Sequence, residues 1–117
     1  LLRQRMSGAE RREKVLAALE QVGIADLARR KPSQLSGGQK QRTAIARAIV
    51  CGADILLADE PTGALDSRTG AEIMGVFQEL NRMGKTIVII THDRQVASCA
   101  NRLIEMQDGR IIHDEAI

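Results

Sequence analysis

The sequence predicts an α/β fold built on parallel strands with flanking helices. Two short apolar runs, Asp-Ile-Leu-Leu-Ala-Asp at 54–59 and Thr-Ile-Val-Ile-Ile-Thr at 86–91, each lead into polar residues. Between them, residues 67–83 set Ile73, Val76, Phe77, Leu80 and Met83 along one side of a helix. A strand, a helix and a strand in that order form a crossover, which joins parallel strands. Ligands of such sheets bind beyond the carboxyl ends of the strands, where Asp59, Glu60 and His92 fall.

The other elements follow in chain order. Residues 9–22 read as a helix with Val15, Leu19 and Val22 on one face, Leu16 beside them, and Gly23 as its stop. Residues 24–34 read as a helical turn and loop broken at Pro32. Ser36 is a good N-cap for a helix over 37–51, with Ala44, Ile45, Ala48 and Ile49 as its apolar stripe. The runs at 54–59 and 86–91 are apolar along their length, as strands of a sheet covered on both faces are. Gly84 caps the crossover helix. A short helix near 94–99 precedes two strands, 102–106 and 110–114, and Asp108-Gly109 between these is a hairpin signal.

Composition narrows the function. The 117 residues are 44% hydrophobic and 27% charged, within the globular range. Phe77 is the single aromatic residue, which argues against a stacking platform for single-stranded nucleic acid. Net charge is +2, with eight Lys or Arg against four Asp or Glu in residues 1–31. The basic stretches Arg11-Arg12 and Arg29-Arg30-Lys31 read as solvated helix faces. Cys51 and Cys99 lie far apart and form no metal or redox motif, so buried, reduced thiols are expected. No apolar run is long enough to span a bilayer. The chain opens on Leu1-Leu2 without a Met or signal peptide, as a piece of a longer chain would.

Four segments carry chemistry. Leu35-Ser36-Gly37-Gly38-Gln39 opens a helix; its glycines let the backbone approach a ligand, and its N–H groups and dipole favour a phosphate. Taken alone, Ser-Gly-Gly is more often a turn and cap. Ile55-Leu56-Leu57-Ala58-Asp59-Glu60 fixes two acids at a strand end, and Pro61-Thr62-Gly63-Ala64-Leu65-Asp66 follows as a turn in which Asp66 can cap the next helix. His92 stands directly after the second strand. Gly84-Lys85-Thr86 imitates the end of a phosphate-binding loop, but Glu79 stands where its first glycine belongs, and the triplet leaves a helix for a strand, the reverse of that loop.

Together these segments resemble the ATP-binding domain of ABC transporters, over nearly the whole chain and most closely over 35–114. Ala58 to Asp66 and Ile90-Thr91-His92-Asp93 look most like the macrolide-export and lipoprotein-release branch. The resemblance implies the C-terminal part of a RecA-like P-loop NTPase domain. Residues 1–50 would be part of its α-helical subdomain with the signature, and 51–117 the core with Walker B, D-loop, switch histidine and a terminal β-hairpin. It implies Ser36, Gly37, Gly38 and Gln39 as signature residues that contact ATP in trans, and Asp59 as the ligand of Mg²⁺ through water. It further implies Glu60 and His92 as catalytic groups, and Ala64, Leu65 and Asp66 as the D-loop of a dimer interface. The implied partners are a second ATP-binding subunit and a transmembrane permease at the cytoplasmic face of a prokaryotic inner membrane, with no nucleic acid. No Walker A motif, Q-loop or adenine-stacking aromatic occurs in the 117 residues. The isolated chain is therefore expected to be inactive and to self-associate. Two other readings stay open: an ABC ATPase of DNA repair or chromosome organisation, against which Gln39 and Gln41-Arg42 speak, and an inactive interaction module, against which the intact Asp59, Glu60 and His92 speak.

Overall fold

A computed structural model describes residues 7–23 and 36–117. The expected turn at 24–34 lies outside the described residues. The chain forms two compact units, Leu1–Asp54 and Ile55–Ile117, taken here in turn.

Among its described residues the first unit holds two helices, α1 (Gly8–Gln21) and α2 (Gly37–Val50). Both begin at a serine whose side chain accepts from the N–H three residues on, while the residue there reaches back to the serine N–H. Such reciprocal caps satisfy two of the donors that every helix start leaves unpaired. The apolar faces differ from the expected ones. Ala18, Leu19 and Val22 are buried on α1, whereas Val15 and Leu16 are exposed. On α2, Ile45 and Ala46 are buried, Ala48 and Ile49 half-buried, and Ala44 is exposed. Arg42 Nη1 donates to the Val22 carbonyl over 3.0 Å, tying the start of α2 to the end of α1. Gly23 (φ 78°) leaves room for that guanidinium, since a Cβ there would come within 2.9 Å of it. Arg11 and Arg12 are exposed, as expected.

The second unit contains β1 (Ile55–Asp59), α3 (Ser67–Arg82), β2 (Thr86–Ile90), α4 (Arg94–Ala97), β3 (Arg102–Gln107) and β4 (Arg110–Ala116). β1 and β2 pair in parallel, with Ile55 opposite Thr86 and Asp59 opposite Ile90. α3 is the crossover between them, and its Ile73, Met74, Phe77 and Leu80 form the core with Leu56 and Ala58. Val76 is half-buried and Met83, at the cap, is exposed. Gly84 (φ 100°) ends α3 as expected: its N–H donates to Asn81 and that of Lys85 to Leu80, a double cap that needs a left-handed residue.

Among the described residues the sheet is covered on one face, by α3, and bare on the other. Burial alternates along β1, so that Ile55 and Leu57 are 61% and 75% exposed. Val88 and Ile90 are exposed on the same face of β2, because parallel register places them beside Leu57 and Asp59. β3 and β4 form the expected antiparallel hairpin, turning through Asp108 (φ 50°) and Gly109 (φ 75°), the two left-handed residues of a type I′ turn. Arg102 grips Asp114 across it with two hydrogen bonds of 2.9 and 2.6 Å.

Candidate functional site

The carboxyl ends of β1 and β2 bring Glu60 and His92 together. The ladder runs one step past β1, where the Glu60 N–H donates to Ile90 O over 2.8 Å. The backbone then turns left-handed at Glu60 (φ 46°), a conformation uncommon for a residue with a side chain. This turn aims the carboxylate back across the sheet. Glu60 Oε1 accepts from the His92 backbone N–H at 2.9 Å and meets His92 Nδ1 at 2.5 Å. An ionised carboxylate only accepts, so Nδ1 carries the proton in that contact. Glu60 Oε2 accepts from the Thr91 hydroxyl at 3.1 Å.

The electrostatics follow from these bonds. The His92 ring, first among the influences, holds the Glu60 carboxyl below its ordinary value. The His92 N–H and the Thr91 hydroxyl act in the same sense, while burial opposes them. Glu60 is therefore ionised at neutral pH. Its side chain is 35% exposed and that of His92 is 91% exposed, so the ring reaches from solvent to the carboxylate.

Asp59 is the last residue of β1 and is exposed. Among the described residues its carboxylate has no hydrogen-bond or ion-pair partner, and no three His, Cys, Asp or Glu side chains cluster as a metal site. A lone exposed carboxylate is a hard oxygen donor that suits Mg²⁺ held through water, since this ion keeps much of its hydration shell.

Residues 61–66 form a tight loop on α3. Gly63 N donates to Glu60 O and Leu65 N to Thr62 O, both over 3.1 Å. Gly70 is buried beneath the loop, and a Cβ there would lie 3.3 Å from the Thr62 Cβ. Asp66 caps α3 through the Thr69 N–H at 3.2 Å, and the Thr69 side chain, with this N–H after it, holds the Asp66 carboxyl below the ordinary range. Ala64 is exposed and Leu65 half-buried.

The other candidate residues lie in the first unit, at the start of α2. The Ser36 hydroxyl accepts from Gln39 N at 3.2 Å, and Gln39 Oε1 accepts from Ser36 N at 2.9 Å. This box does not engage the N–H groups of Gly37 and Gly38, which stand at the positive end of the helix dipole. Gly37 is exposed and Gly38 buried.

Sequence reading missed Thr91. Its hydroxyl reaches a residue 31 positions away, and the only hint was its place at the end of an apolar strand beside a histidine. The expected burial of the cysteines is also corrected. Cys51 is an exposed C-cap of α2, off the apolar stripe, and Cys99 is half-buried with its thiol near Gln95 O at 3.4 Å. Both are free.

A family profile described as ABC transporter matches residues 2–63. The chain is 56% identical over 106 residues to the macrolide export ATP-binding/permease protein MacB of Burkholderia pseudomallei, covering 91% of this chain and 16% of that protein. It is 54% identical to MacB of Acinetobacter baylyi over the same shares of each chain. Among solved structures, the dimeric bacterial ABC transporter cassette MJ0796 is 48% identical with a TM-score of 0.77, covering 98% of this chain and 50% of that one. The same cassette in a post-hydrolysis state bound to ADP and Pi is 47% identical. cbiO1 of Clostridium perfringens, part of the cbiONQ ABC transporter complex, superposes with a TM-score of 0.88 at 34% identity.

Proposed function

The chain belongs to the ABC transporter ATP-binding family, with its α/β cassette fold, and on that premise we propose that it is a piece of an ATPase that powers export through a membrane permease. Residues 1–50 act as part of the α-helical subdomain, bearing the signature, and 51–117 as part of the catalytic core. The whole protein pairs with a second cassette and works at the cytoplasmic face of a prokaryotic inner membrane. No helix among the described residues is long and apolar enough to cross a membrane. The transmembrane path belongs to a permease, fused or separate, a reading that the ATP-binding/permease naming of the MacB relatives supports.

The observation that carries this reading is the Glu60 carboxylate, ionised and clamped between Thr91 and His92 at the end of a parallel strand. There it accepts a hydrogen bond from water and directs the water oxygen at the γ-phosphorus of ATP; the P–O bond to ADP breaks as the new one forms. Asp59 would hold Mg²⁺ through water; the ion, when bound, neutralises charge on the phosphates. His92 holds Oε1 and meets the phosphate with the rest of its ring, a role that the ring's 91% exposure supports. Ser36, Gly37, Gly38 and Gln39 offer the N-terminus of α2 to the γ-phosphate held by the other subunit, and Ala64, Leu65 and Asp66 face that subunit. The runner-up reading, an ABC ATPase of DNA repair, has no observation in its favour.

The test is Glu60→Gln in the complete protein. The amide keeps size and position but cannot polarise water, so kcat falls by about 10³-fold or more while ATP binding persists. Steady-state hydrolysis near the wild-type rate would refute the reading.

A further inference from the structure

We propose that Thr91 is a positioning residue that fixes the Glu60 carboxylate for water attack, with Oε2 as the oxygen that takes the water. The inference rests on the reading of Glu60 above and adds a residue to it.

A carboxylate offers about four lone-pair sites, two on each oxygen. Both sites of Oε1 are taken, one by the His92 N–H at 2.9 Å and one by the ring Nδ1. Oε2 has one partner among the described residues, the Thr91 hydroxyl at 3.1 Å. With the ring engaged, the site left for water lies on Oε2. The direction of that site is set by whatever fixes rotation about the last side-chain torsion. That torsion is broad and two-fold, so it does not fix itself.

His92 holds the carboxylate from one end only. Both of its bonds meet Oε1, and one of them comes from a ring that is 91% exposed. Thr91 is better rooted. It directly follows β2 and is half-buried, and its oxygen accepts the Asp93 N–H at 3.0 Å. That bond leaves the hydroxyl proton to point at Glu60. Asp93 is in turn tied to the start of α4 through the Gln95 N–H at 2.8 Å. The hydroxyl therefore holds a defined direction, and the carboxylate is gripped at both ends.

The experiment measures steady-state and single-turnover ATP hydrolysis by the complete protein carrying Thr91→Val, Thr91→Ser, Glu60→Gln or the Glu60→Gln/Thr91→Val pair. Thr91→Val keeps the shape and loses the hydroxyl. It is expected to lower kcat by about 10- to 100-fold with KM for Mg-ATP within about twofold, because a misaligned group loses rate and not ground-state affinity. Thr91→Ser restores the hydroxyl and returns kcat to within about threefold of wild type. On the Glu60→Gln background Thr91→Val adds little, as residues acting through one group are not additive.

If Thr91→Val leaves kcat unchanged while Glu60→Gln is inactive, the role of Thr91 is lost and that of Glu60 stands. Failure of serine to rescue, or a further large fall in the double variant, also overturns the proposal. An active Glu60→Gln removes the reading on which it rests. Should Thr91→Val prove unstable by thermal melting, Thr91→Ser against Thr91→Ala makes the same hydroxyl comparison.

Discussion

The two places where chemistry is expected are built in opposite ways. At the start of α2, the cap bonds link residues three apart, Ser36 to Gln39 and back. At the carboxyl end of the parallel strands, the bonds link Glu60 to residues 31 and 32 positions away. One site is a property of a single helix and is set by backbone N–H groups. The other exists only after the crossover has closed and is set by side chains. The first should therefore be sensitive to bulk and charge near its glycines, and the second to the loss of single functional atoms.

The largest test of that contrast is His92→Ala in the complete protein. Removing the ring frees one site of Oε1 and the group placed towards the phosphate; kcat should fall by about 10²-fold or more. ATP affinity, measured by titration calorimetry, should change by less than about threefold. A variant as fast as wild type would show that the long-range clamp contributes nothing. Next is Gly37→Asp, which sets a carboxylate at the positive end of α2, where a γ-phosphate would arrive. ATP-dependent dimerisation, read by light scattering, should weaken by about tenfold or more, an effect on assembly and not on the chemical step. An undiminished dimer would remove the distinction between the two ends.

A third test separates both ends from the sheet that carries one of them. Ile55, Leu57, Val88 and Ile90 leave one sheet face exposed and apolar. Residues 1–117 made alone should elute above monomer mass, and Leu57→Lys with Val88→Lys should shift them towards monomer. The same fragment should show no micromolar affinity for Mg-ATP. A compact monomer that binds ATP would mean the end of the sheet is a complete site on its own. Ser36→Ala is milder. It removes one cap bond and should lower stability by about 1 kcal/mol in denaturant titration.

The smallest effect is expected in the hairpin, which holds neither set of candidate residues, and serves as a baseline. Arg102 holds the Asp114 carboxyl below its ordinary value. A depressed carboxyl stabilises the fold above its unfolded value, near ~3.9, and that contribution is lost as pH falls through the lowered folded value. Melting of the complete protein should drop slightly below about pH 4, and Asp114→Asn should remove that part of the drop.

The same contrast explains what was legible in the sequence. The cap at Ser36, the glycine stop at Gly84, the Asp108-Gly109 turn and the crossover from β1 to β2 depend on residues close in the chain, so spacing and residue type disclosed them. The left-handed turn at Glu60 and the bond from Thr91 depend on the register of β1 against β2, which no local pattern encodes. The helix faces fall between these cases. Periodicity found the stripes on α1 and α3, but Val15, Leu16 and Met83 turned out exposed because covering depends on which neighbour lies above each turn. The cysteines failed for a related reason: a residue at a helix end is not protected by being apolar.

On the role proposed for Glu60, its positive φ sets the interests of fold and function against each other. Asparagine or glycine occupies that backbone region more readily than glutamate does. A directed-evolution campaign that rewarded heat resistance alone would thus be drawn to Glu60→Asn or Glu60→Gly. It would enrich sturdier proteins that no longer turn over ATP, the usual exchange at a strained working residue. A library meant to improve this protein should hold position 60 fixed and look for robustness elsewhere.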